Sequence, residues 1–347
     1  MNGYLPPLNG LVLLDKPKGI SSHATLMAAK RRLKQEKAGH GGTLDLLASG
    51  LLPVFFGSWT KLSSYCLNDT KQYRAIVRLG IQTDSGDAEG QVIKTLPVPQ
   101  FDNKKLALLA DAMIGKMEQT PPSFSAIKVN GVPNYKHAAQ ARRNKTQMRE
   151  LPPRWVDIKK LHMQVLDARH IEISVTTSKG AYVRAFGEQI AERLKTCGHL
   201  VALRRVAVGG LKISEAVKIK DLKASGTGWI EIERLLPDAP CLNISHEEQD
   251  MLTKGRCIPI TRENLVSKTE DNLASCATIL ALSPEGELVA LGKALDHQQV
   301  QPVKEVPQGA LGWLQPTRVL VPGQLQICAA DRVSDTRIFT EKTDAQH

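Results

Sequence analysis

The sequence lacks the cysteine and histidine spacings that mark metal sites and disulfide frameworks. Its six cysteines are scattered over 347 residues, with no C-x-x-C pair and no histidines at metal-ligand spacing. This distribution predicts free thiols and no bound metal.

The sequence also lacks a long hydrophobic run. No apolar stretch approaches the roughly 20 residues that a membrane-spanning helix needs, and the opening MNGYLPPLNG does not have the basic and then apolar pattern of a secretory signal. With 42% hydrophobic and 23% charged residues, the composition is ordinary for a globular protein. We therefore expect a cytoplasmic protein with no membrane partner.

Acidic residues are in the minority, since 46 Lys and Arg face 35 Asp and Glu, for a formal net charge of +11. This excess favours a polyanionic partner, because Lys and Arg that neutralise phosphates release condensed counterions. A basic solvated surface and a membrane-surface contact are alternatives that charge alone leaves open. The basic residues are concentrated in two stretches: Lys16, Lys18, Lys30, Arg31, Arg32, Lys34 and Lys37, and then Arg142, Arg143, Lys145, Arg149 and Arg154.

The length predicts more than one domain, because single cores rarely grow beyond about 250–300 residues. The sequence LLPDAP at residues 235–240 is typical of a boundary. We expect a larger domain of residues 1–237 with a basic insertion at about 136–154, a small strand-rich domain of residues 241–322, and a loose tail of residues 323–347.

Hydrophobic periodicity predicts a mixed α/β (α+β) fold. Residues 11–14 form a short buried strand, after which Ser21 or Ser22 caps a helix that runs to about Lys37. Alternating residues at 72–79 and 170–176 predict half-buried strands. A helix capped by Asp102 and one from about Val183 to Gly198 complete the larger domain, and residues 119–135 are too rich in Pro, Gly, Ser and Asn for regular structure.

The small domain has two local signals. Ser245-x-x-Glu248 is a capping box that opens a short helix, which Gly255 can close. The stretch ATILALSPEGELVALG predicts a hairpin that turns at Pro284 and Gly286.

The stretch GHGGTLDLLASGLL, residues 39–52, places one carboxylate, Asp45, between two leucines. A dinucleotide fingerprint fails because Leu44 occupies the position of the third glycine, and a phosphate loop fails because G-K-[ST] is absent. Two interpretations remain. Asp45 could cap a helix that starts at Leu46, or it could present a carboxylate in a water-poor pocket, where a cation from elsewhere in the chain would have to keep it ionised.

Several motifs resemble those of TruB-type tRNA pseudouridine synthases. GHGGTLDLLASGLLPVFFGSWTK is similar to the family's G-H-x-G-x-L-D-P-x-A-x-G-x-L-P-V segment. The others are LVLLDKPKGISSH, KQYRAIVRLGIQTDSGDAEG, QTPPSFSAIKVNGVPNY, SKGAYVRAF and GHLVALRRVAVG. They occur in the family's order over about residues 9–210, so the resemblance is highly specific.

The resemblance implies a pseudouridine synthase fold with a central mixed, largely antiparallel sheet flanked by helices. It also implies an activity: conversion of the T-loop uridine of tRNA, conventionally U55, to pseudouridine after the base is flipped out. Asp45 would be the nucleophile and Arg184 its paired cation. Tyr73 would stack beneath the base, although its place in an alternating strand also suits a core aromatic.

The family pattern implies further substrate contacts at His40, Tyr182 and Leu203. By itself, His40 would be a loop residue and Leu203 a core residue. To these the charge pattern adds Lys16 and Lys18, which lie just upstream of Asp45.

The reaction neither transfers electrons to an acceptor nor hydrolyses a bond, so the resemblance implies no metal and no organic cofactor. The implied partner is the T-arm stem-loop of tRNA, and the chain should act as a monomer without a protein partner. The small domain resembles the PUA-like RNA-binding domain of bacterial members at SHEEQDMLTKGRCIP and LQPTRVL. An accessory β-domain that does not touch RNA is the alternative.

The sequence departs from the family at two places. Leu46 replaces the proline that follows the catalytic Asp, and Ala139 and Ala141 replace the arginine and glycine of the Y-x-x-A-R-x-G segment. A non-catalytic tRNA-binding or tRNA-folding protein is therefore the main rival, and a nucleotide-dependent enzyme is a second. The joint presence of Asp45, Tyr73 and Arg184 favours the enzyme. A guide-RNA-dependent relative would be expected to carry long basic extensions, which this tail does not resemble.

Overall fold

The computed structural model describes residues 8–148, 151–266, 273, 276, 278–296, 309–320 and 325–326. The strands are β1 Leu8–Lys16, β2 Ala38–His40, β3 Ser49–Phe56, β4 Lys71–Leu79, β5 Ile81–Thr83, β6 Val92–Thr95, β7 Gly115–Gln119, β8 Lys128–Val129, β9 Val132–Pro133, β10 Arg154–Val165, β11 His170–Thr177, β12 Gly198–Val208, β13 Leu211–Lys212, β14 Trp229–Ile230, β15 Cys241–Asn243, β16 Ile258–Thr261, β17 Ile279–Leu282, β18 Leu288–Leu295, β19 Ala310–Val319 and β20 Leu325–Gln326. The helices are α1 Ser22–Arg32, α2 Ser63–Asn68, α3 Asn103–Ala112, α4 Asn134–Asn144, α5 Val183–Arg193, α6 Ile232–Leu235 and α7 His246–Thr253, and three 3₁₀ turns cover Gly57–Leu62, Ile213–Glu215 and Ile219–Asp221.

One large sheet runs in the order β14-β1-β3-β12-β4-β11-β10-β7. Along this path the strands pair antiparallel except β3 and β12, which are parallel. Alternation explains the central strand β4, where Ala75, Val77 and Leu79 are buried while Gln72 and Arg74 are exposed. The prediction of a mixed, largely antiparallel sheet is confirmed.

The helix after β1 starts where the sequence predicts, because the Ser21 hydroxyl accepts a hydrogen bond from the Ala24 N–H at 3.0 Å. It ends at Arg32, so the predicted extension to Lys37 is wrong. Lys34 has a left-handed φ of 52°, and residues 38–40 pair with β3 as strand β2. Pairing with a distant strand thus overrides the local helical pattern.

The other two predicted helices of the larger part are present. Asp102 caps α3, since its carboxylate accepts from the Lys105 N–H at 2.8 Å. Helix α5 ends at Arg193 and does not reach Gly198 as predicted. Lys195 has a φ of 62°, and Gly198 already belongs to β12.

The helices pack on the large sheet in two clusters that flank the loop carrying Asp45. The first cluster joins α3 and α5 to β4 and β11, and it includes Leu44 and Leu47 of that loop. The second joins α1 to β1 and β3. The loop is therefore held between two parts of the core.

A five-stranded sheet in the order β15-β17-β18-β19-β16 forms the second layer of strands. The predicted hairpin is confirmed as β17 and β18. The predicted capping box of α7 is confirmed as well: the Ser245 hydroxyl accepts from the Glu248 N–H at 3.2 Å, and the Glu248 carboxylate accepts from the Ser245 N–H at 2.8 Å.

Two residues of the predicted tail lie in the large sheet, because β20 pairs parallel with Leu8 and Asn9 of β1. The rest of residues 323–347 falls outside the described part of the chain. Within the described residues, no helix is long and apolar enough to cross a membrane.

Candidate active site

The loop between β2 and β3 presents Asp45 and is pinned at several backbone atoms. The Ser22 hydroxyl, in the first turn of α1, accepts from the Leu44 N–H at 2.8 Å and donates to the Leu44 carbonyl at 3.1 Å. The Gly19 N–H donates to the Leu46 carbonyl at 2.7 Å. A side chain at Gly41 could not fit, because its Cβ would lie 2.6 Å from the Cβ of Cys66. These contacts fix the backbone on both sides of the carboxylate.

Asp45 does not cap a helix, which removes the local interpretation of this residue. Residues 44–48 are not helical, and the chain bends at 46–47 before β3 begins at Ser49. Leu44 and Leu47 turn into the core while Leu46 stays 51% exposed. The apolar run after Asp45 is thus a bend and a buried strand.

Arg184, in the first turn of α5, is the cation that faces Asp45. Its Nη2 donates to Oδ1 of Asp45 at 3.1 Å, and its Nε lies 2.8 Å from Oδ2. The Nε–H direction does not meet hydrogen-bond geometry, so this second contact is an ion pair. The guanidinium is 3% exposed and the Asp45 side chain 35% exposed. The cation is therefore buried behind a carboxylate that stays open to solvent.

Three further groups hold the Arg184 guanidinium. Nη1 donates to the Ser85 carbonyl and Nη2 to the Phe124 carbonyl, each at 2.8 Å. The buried carboxylate of Asp87 lies 3.7 Å from Nη1. Because Arg cannot lose its proton in a protein, this arrangement keeps a permanent positive charge at a fixed place beside Asp45.

A cavity of about 350 Å³ opens in front of Asp45, within the roughly 300–1,000 Å³ range of small-ligand sites. The predicted residues Tyr73, Tyr182 and Leu203 line it together with Asp45. The Arg154 guanidinium, which also lines the cavity, lies 4.8 Å from the centre of the Tyr182 ring. The structure therefore gathers four predicted site residues around one space.

The other predicted residues are not in the wall of this cavity. Lys16 is fully buried, and its Nζ donates to the carbonyls of Pro17 and Ile20 at 3.0 and 2.6 Å. Burial lowers the pKa of Lys16 to about 8, although the nearby Asp45 carboxylate opposes this shift. Lys18 lines a separate cavity of about 250 Å³, which shares Leu203 with the first.

His40 lies on β2 and is half-buried, within reach of the charge of Arg205, which lines the cavity. Burial lowers its pKa, and the positive charge of Arg205 lowers it further. Its Nδ1 is buried and has no hydrogen-bond partner among the described residues.

Three basic residues that the sequence analysis did not assign to the site line the cavity: Lys71, Arg154 and Arg205. Arg205 and Lys71 are the buried ones. Arg205 is 1% exposed, and it donates to the carbonyls of Leu51 and Gly42 at 2.8 and 3.0 Å. Lys71 is also buried, and desolvation together with the charge of Arg205 lowers its pKa to about 8. Both residues belong to quoted motifs, so the motifs could have indicated them, but nothing local shows that they face one cavity.

Comparisons with known proteins identify relatives of this chain. A family model described as TruB family pseudouridylate synthase (N terminal domain) matches residues 30–183. The chain is 38% identical to a protein named tRNA pseudouridine synthase B from Psychrobacter cryohalolentis, over 78% of this chain and 76% of that protein. It is 40% identical to the protein of the same name from Francisella tularensis subsp. novicida, over 71% of this chain and 82% of that protein.

Solved structures show the same fold. A chain from a crystal structure of a Cbf5-Nop10-Gar1 complex superposes with a TM-score of 0.60 at 22% identity, covering 90% of this chain and 85% of that chain. A chain from an H/ACA RNP bound to a substrate RNA containing 2'-deoxyuridine gives a TM-score of 0.60 at 20% identity, with the same coverage. At these identities the likeness concerns the fold alone.

Proposed function

The chain belongs to the TruB family of pseudouridylate synthases, and from this premise we propose that it isomerises the T-loop uridine of tRNA, conventionally U55, to pseudouridine. The observation that carries the proposal is the contact between Asp45 and the buried Arg184 at the mouth of a cavity lined by Tyr73. The names of the relatives supply tRNA as the substrate.

Asp45 is the nucleophile in this proposal. Its carboxylate opens into the cavity, while Arg184 fixes its orientation and compensates its charge. The glycosidic bond between N1 of the base and C1' of the ribose breaks, the base turns, and C5 bonds to C1'. The Asp45 carboxylate forms a transient bond to the nucleotide, and this bond breaks again before the product leaves, so the carboxylate is regenerated. A proton leaves C5 and another is taken up at N1, so atoms and electrons balance without a cofactor.

The cavity explains why the target base must leave the RNA stack. Asp45 is part of the cavity wall, so in the proposal the base leaves the folded loop to reach it, and flipping costs a few kcal/mol. Stacking on Tyr73 offsets this cost, since base–aromatic stacking is worth about 1–3 kcal/mol per base. In the proposal Tyr182 and Leu203 close the sides of the pocket, and His40 and Lys18 contact the RNA around it. Lys16 is fully buried and contributes its charge without touching the RNA.

The second sheet would serve as a PUA-like RNA-binding domain of residues 241–322, next to a catalytic domain of residues 1–237. Two features support this assignment. The five strands form a sheet of their own, and three cations are exposed there: Lys254 and Arg256 between α7 and β16, and Lys293 on β18.

The proposal is tested with an unmodified tRNA transcript that carries tritium at C5 of uracil. Each turnover releases tritium to water, because C5 exchanges its hydrogen for the bond to C1'. We expect the wild type to release one equivalent, and none from a transcript with cytidine at the target position. Asp45→Asn should slow release by a factor on the order of 10³ or more and still bind the transcript. The matched control Asp238→Asn changes an exposed aspartate and should leave the rate unchanged.

Two results would count against the proposal. A wild type that binds tRNA but releases no tritium would be a binding or folding protein, which is the rival function. An Asp45→Asn variant as fast as the wild type would remove Asp45 from the chemistry.

A further inference from the structure

Arg142 occupies an unexpected place in the segment where the family motif is altered. The motif's arginine is replaced by Ala139, and Arg142 follows about one helical turn later on α4. Its guanidinium is turned towards the protein: Nε and Nη2 donate to Oδ2 and Oδ1 of Asp84 at 2.7 and 2.6 Å. It also lies 4.2 Å above the centre of the Phe124 ring. The side chain is 27% exposed and that of Asp84 11%.

Both partners of Arg142 adjoin the backbone groups that hold Arg184. Asp84 precedes Ser85, whose carbonyl accepts from Nη1 of Arg184, and Phe124 itself supplies the carbonyl that accepts from Nη2, each at 2.8 Å. Arg142 therefore contacts the same two chain segments as Arg184.

Hydrogen bonds within the turn of residues 84–91 fix Asp84 relative to Ser85 and Asp87. The Gln91 N–H donates to Oδ1 of Asp84 at 2.8 Å, and the Ser85 hydroxyl donates to Asp87 at 2.6 Å. Gly90 permits this closeness, because a Cβ there would lie 2.3 Å from the Ser85 hydroxyl oxygen.

The segment of residues 123–144 was predicted to be irregular up to residue 135, but it contains the hairpin β8–β9 and the start of α4. Asn134 joins its parts, since its N–H donates to the Ile127 carbonyl at 2.7 Å and its Nδ2 to the Ser123 carbonyl at 2.8 Å. Without Arg142, Phe124 and α4 would lose their contact with the charge of Asp84.

We propose that Arg142 is a positioning residue of the reaction: it clamps the 123–144 segment to the 84–91 turn, so that the Ser85 and Phe124 carbonyls hold Arg184 in line with Asp45. This inference rests on the proposed function. It gives Arg142 a partner within the protein, the Asp84 carboxylate, although the residue belongs to a basic run that charge alone would assign to RNA.

The clamp requires an arginine. Two parallel N–H donors match the carboxylate of Asp84, and the planar guanidinium stacks on Phe124 at the same time. A lysine keeps the charge but can make only a point contact, so it should not replace Arg142.

The test compares Arg142→Ala, Arg142→Lys and Asp84→Asn with the control Arg143→Ala, which removes an exposed cation from the next position. The single-turnover rate of tritium release is measured at saturating tRNA, and the Kd for tRNA over a range of salt concentrations. We expect the first three variants to lose about 10- to 100-fold in rate, as for a misplacement of about 1 Å, with Kd and its salt dependence unchanged. Arg143→Ala should keep the wild-type rate. The double variant Arg142→Ala/Asp84→Asn should be no slower than the single ones, because both break one contact.

Two outcomes would overturn the inference. If Arg142→Ala keeps the rate, weakens binding and lowers the salt slope by about 1, Arg142 contacts a phosphate. If all variants keep both rate and affinity, the clamp has no role. Asp84→Asn preserves the size of the side chain and serves if Arg142→Ala fails to fold. A wild type without tritium release contradicts the proposed function itself, whereas an active wild type with fully active variants contradicts the clamp only.

Discussion

Leu46 shows at the scale of one residue how this chain tolerates a departure from its family. Its side chain is 51% exposed. Its carbonyl accepts from the Gly19 N–H at 2.7 Å, while its own N–H donates no hydrogen bond within the described residues. A proline, which lacks that N–H, would therefore remove no backbone hydrogen bond. The substitution thus leaves the pairing of Asp45 with Arg184 intact.

Restoring the proline should therefore stabilise the protein. We expect Leu46→Pro to raise the free energy of unfolding by about 0.4–1 kcal/mol, because proline reduces the conformational entropy of the unfolded chain. Tritium release should be unchanged. Urea unfolding measures the first quantity. The control Leu47→Pro changes a buried neighbour and should destabilise. A Leu46→Pro variant less stable than the wild type would mean that the loop holds a φ that proline cannot adopt.

The same scale shows what the motifs could and could not identify. The structure places Asp45 and Tyr73 at one cavity and Arg184 against Asp45. The motif comparison did not single out Asp87, Lys71 or Arg205. The interpretation of Asp45 as a helix cap was local, and it is wrong because residues 46–47 form a bend and no helix. The bend buries Leu47, which is 2% exposed, and leaves Leu46 exposed.

At the scale of one element, helix α5 connects the site to a half-buried carboxyl group, that of Glu188. Glu188 lies one turn after Arg184, and a Cβ on Gly86 would come within 3.5 Å of both side chains. Burial raises the pKa of Glu188 to about 7, although a hydrogen bond from Gln82 and the charge of Arg184 act in the opposite direction. The helix therefore holds a carboxyl group that prefers to be protonated in the folded state.

This preference predicts a pH-dependent stability. The folded pKa lies above the unfolded value, so the contribution of Glu188 is fully present below about pH 4.5 and is lost as pH rises through 7. We expect Glu188→Gln to be more stable than the wild type at pH 8, by about 3 kcal/mol at most, and equally stable near pH 4. Urea unfolding over this pH range tests it, with Glu263→Gln at an exposed turn position as control, because the charge of Glu192 itself raises the pKa of Glu188. Parallel curves for wild type and Glu188→Gln would contradict the shift.

Sequence periodicity and caps located helices and strands but not the ends of α1 and α5. Alternation located β4, and caps located the starts of α1, α3 and α7, because these signals depend on neighbouring residues. Both helix ends predicted too far downstream, at Lys37 and Gly198, are followed by segments that pair with distant strands. A pairing of this kind has no local signature.

The two sheets share one core at the scale of the whole molecule. Leu280, Leu291 and Leu320 pack in one cluster with Phe55 and Trp59 of the larger part. Polar contacts also join the five-stranded sheet to the larger part of the chain. The Lys61 ammonium donates to the Val319 carbonyl at 2.5 Å, the Arg318 guanidinium lies 5.4 Å from the centre of the Tyr65 ring, and the hydroxyls of Tyr65 and Thr278 lie 3.1 Å apart.

The shared core predicts cooperative unfolding. We expect Leu291→Ala, which empties a fully buried site, to destabilise the protein by about 2–5 kcal/mol and to lower the midpoint of a single calorimetric transition. Leu108→Ala, at a position 66% exposed, should change the midpoint little. Two transitions, of which only one responds to Leu291→Ala, would show that the sheets unfold separately.

The motifs and periodicities of the sequence predict the family, the mixed α/β class and the pair of Asp45 and Arg184, because they can be read from neighbouring residues. Which other cations contact which carboxylates is visible only in the tertiary structure. Arg184 and Asp45 are 139 residues apart in the chain, and Arg142 and Asp84 are 58 apart. Such contacts depend on strand register and on how loops fold over the sheet. For this reason charge assigned Arg142 to a basic surface, and the fold placed it behind Arg184.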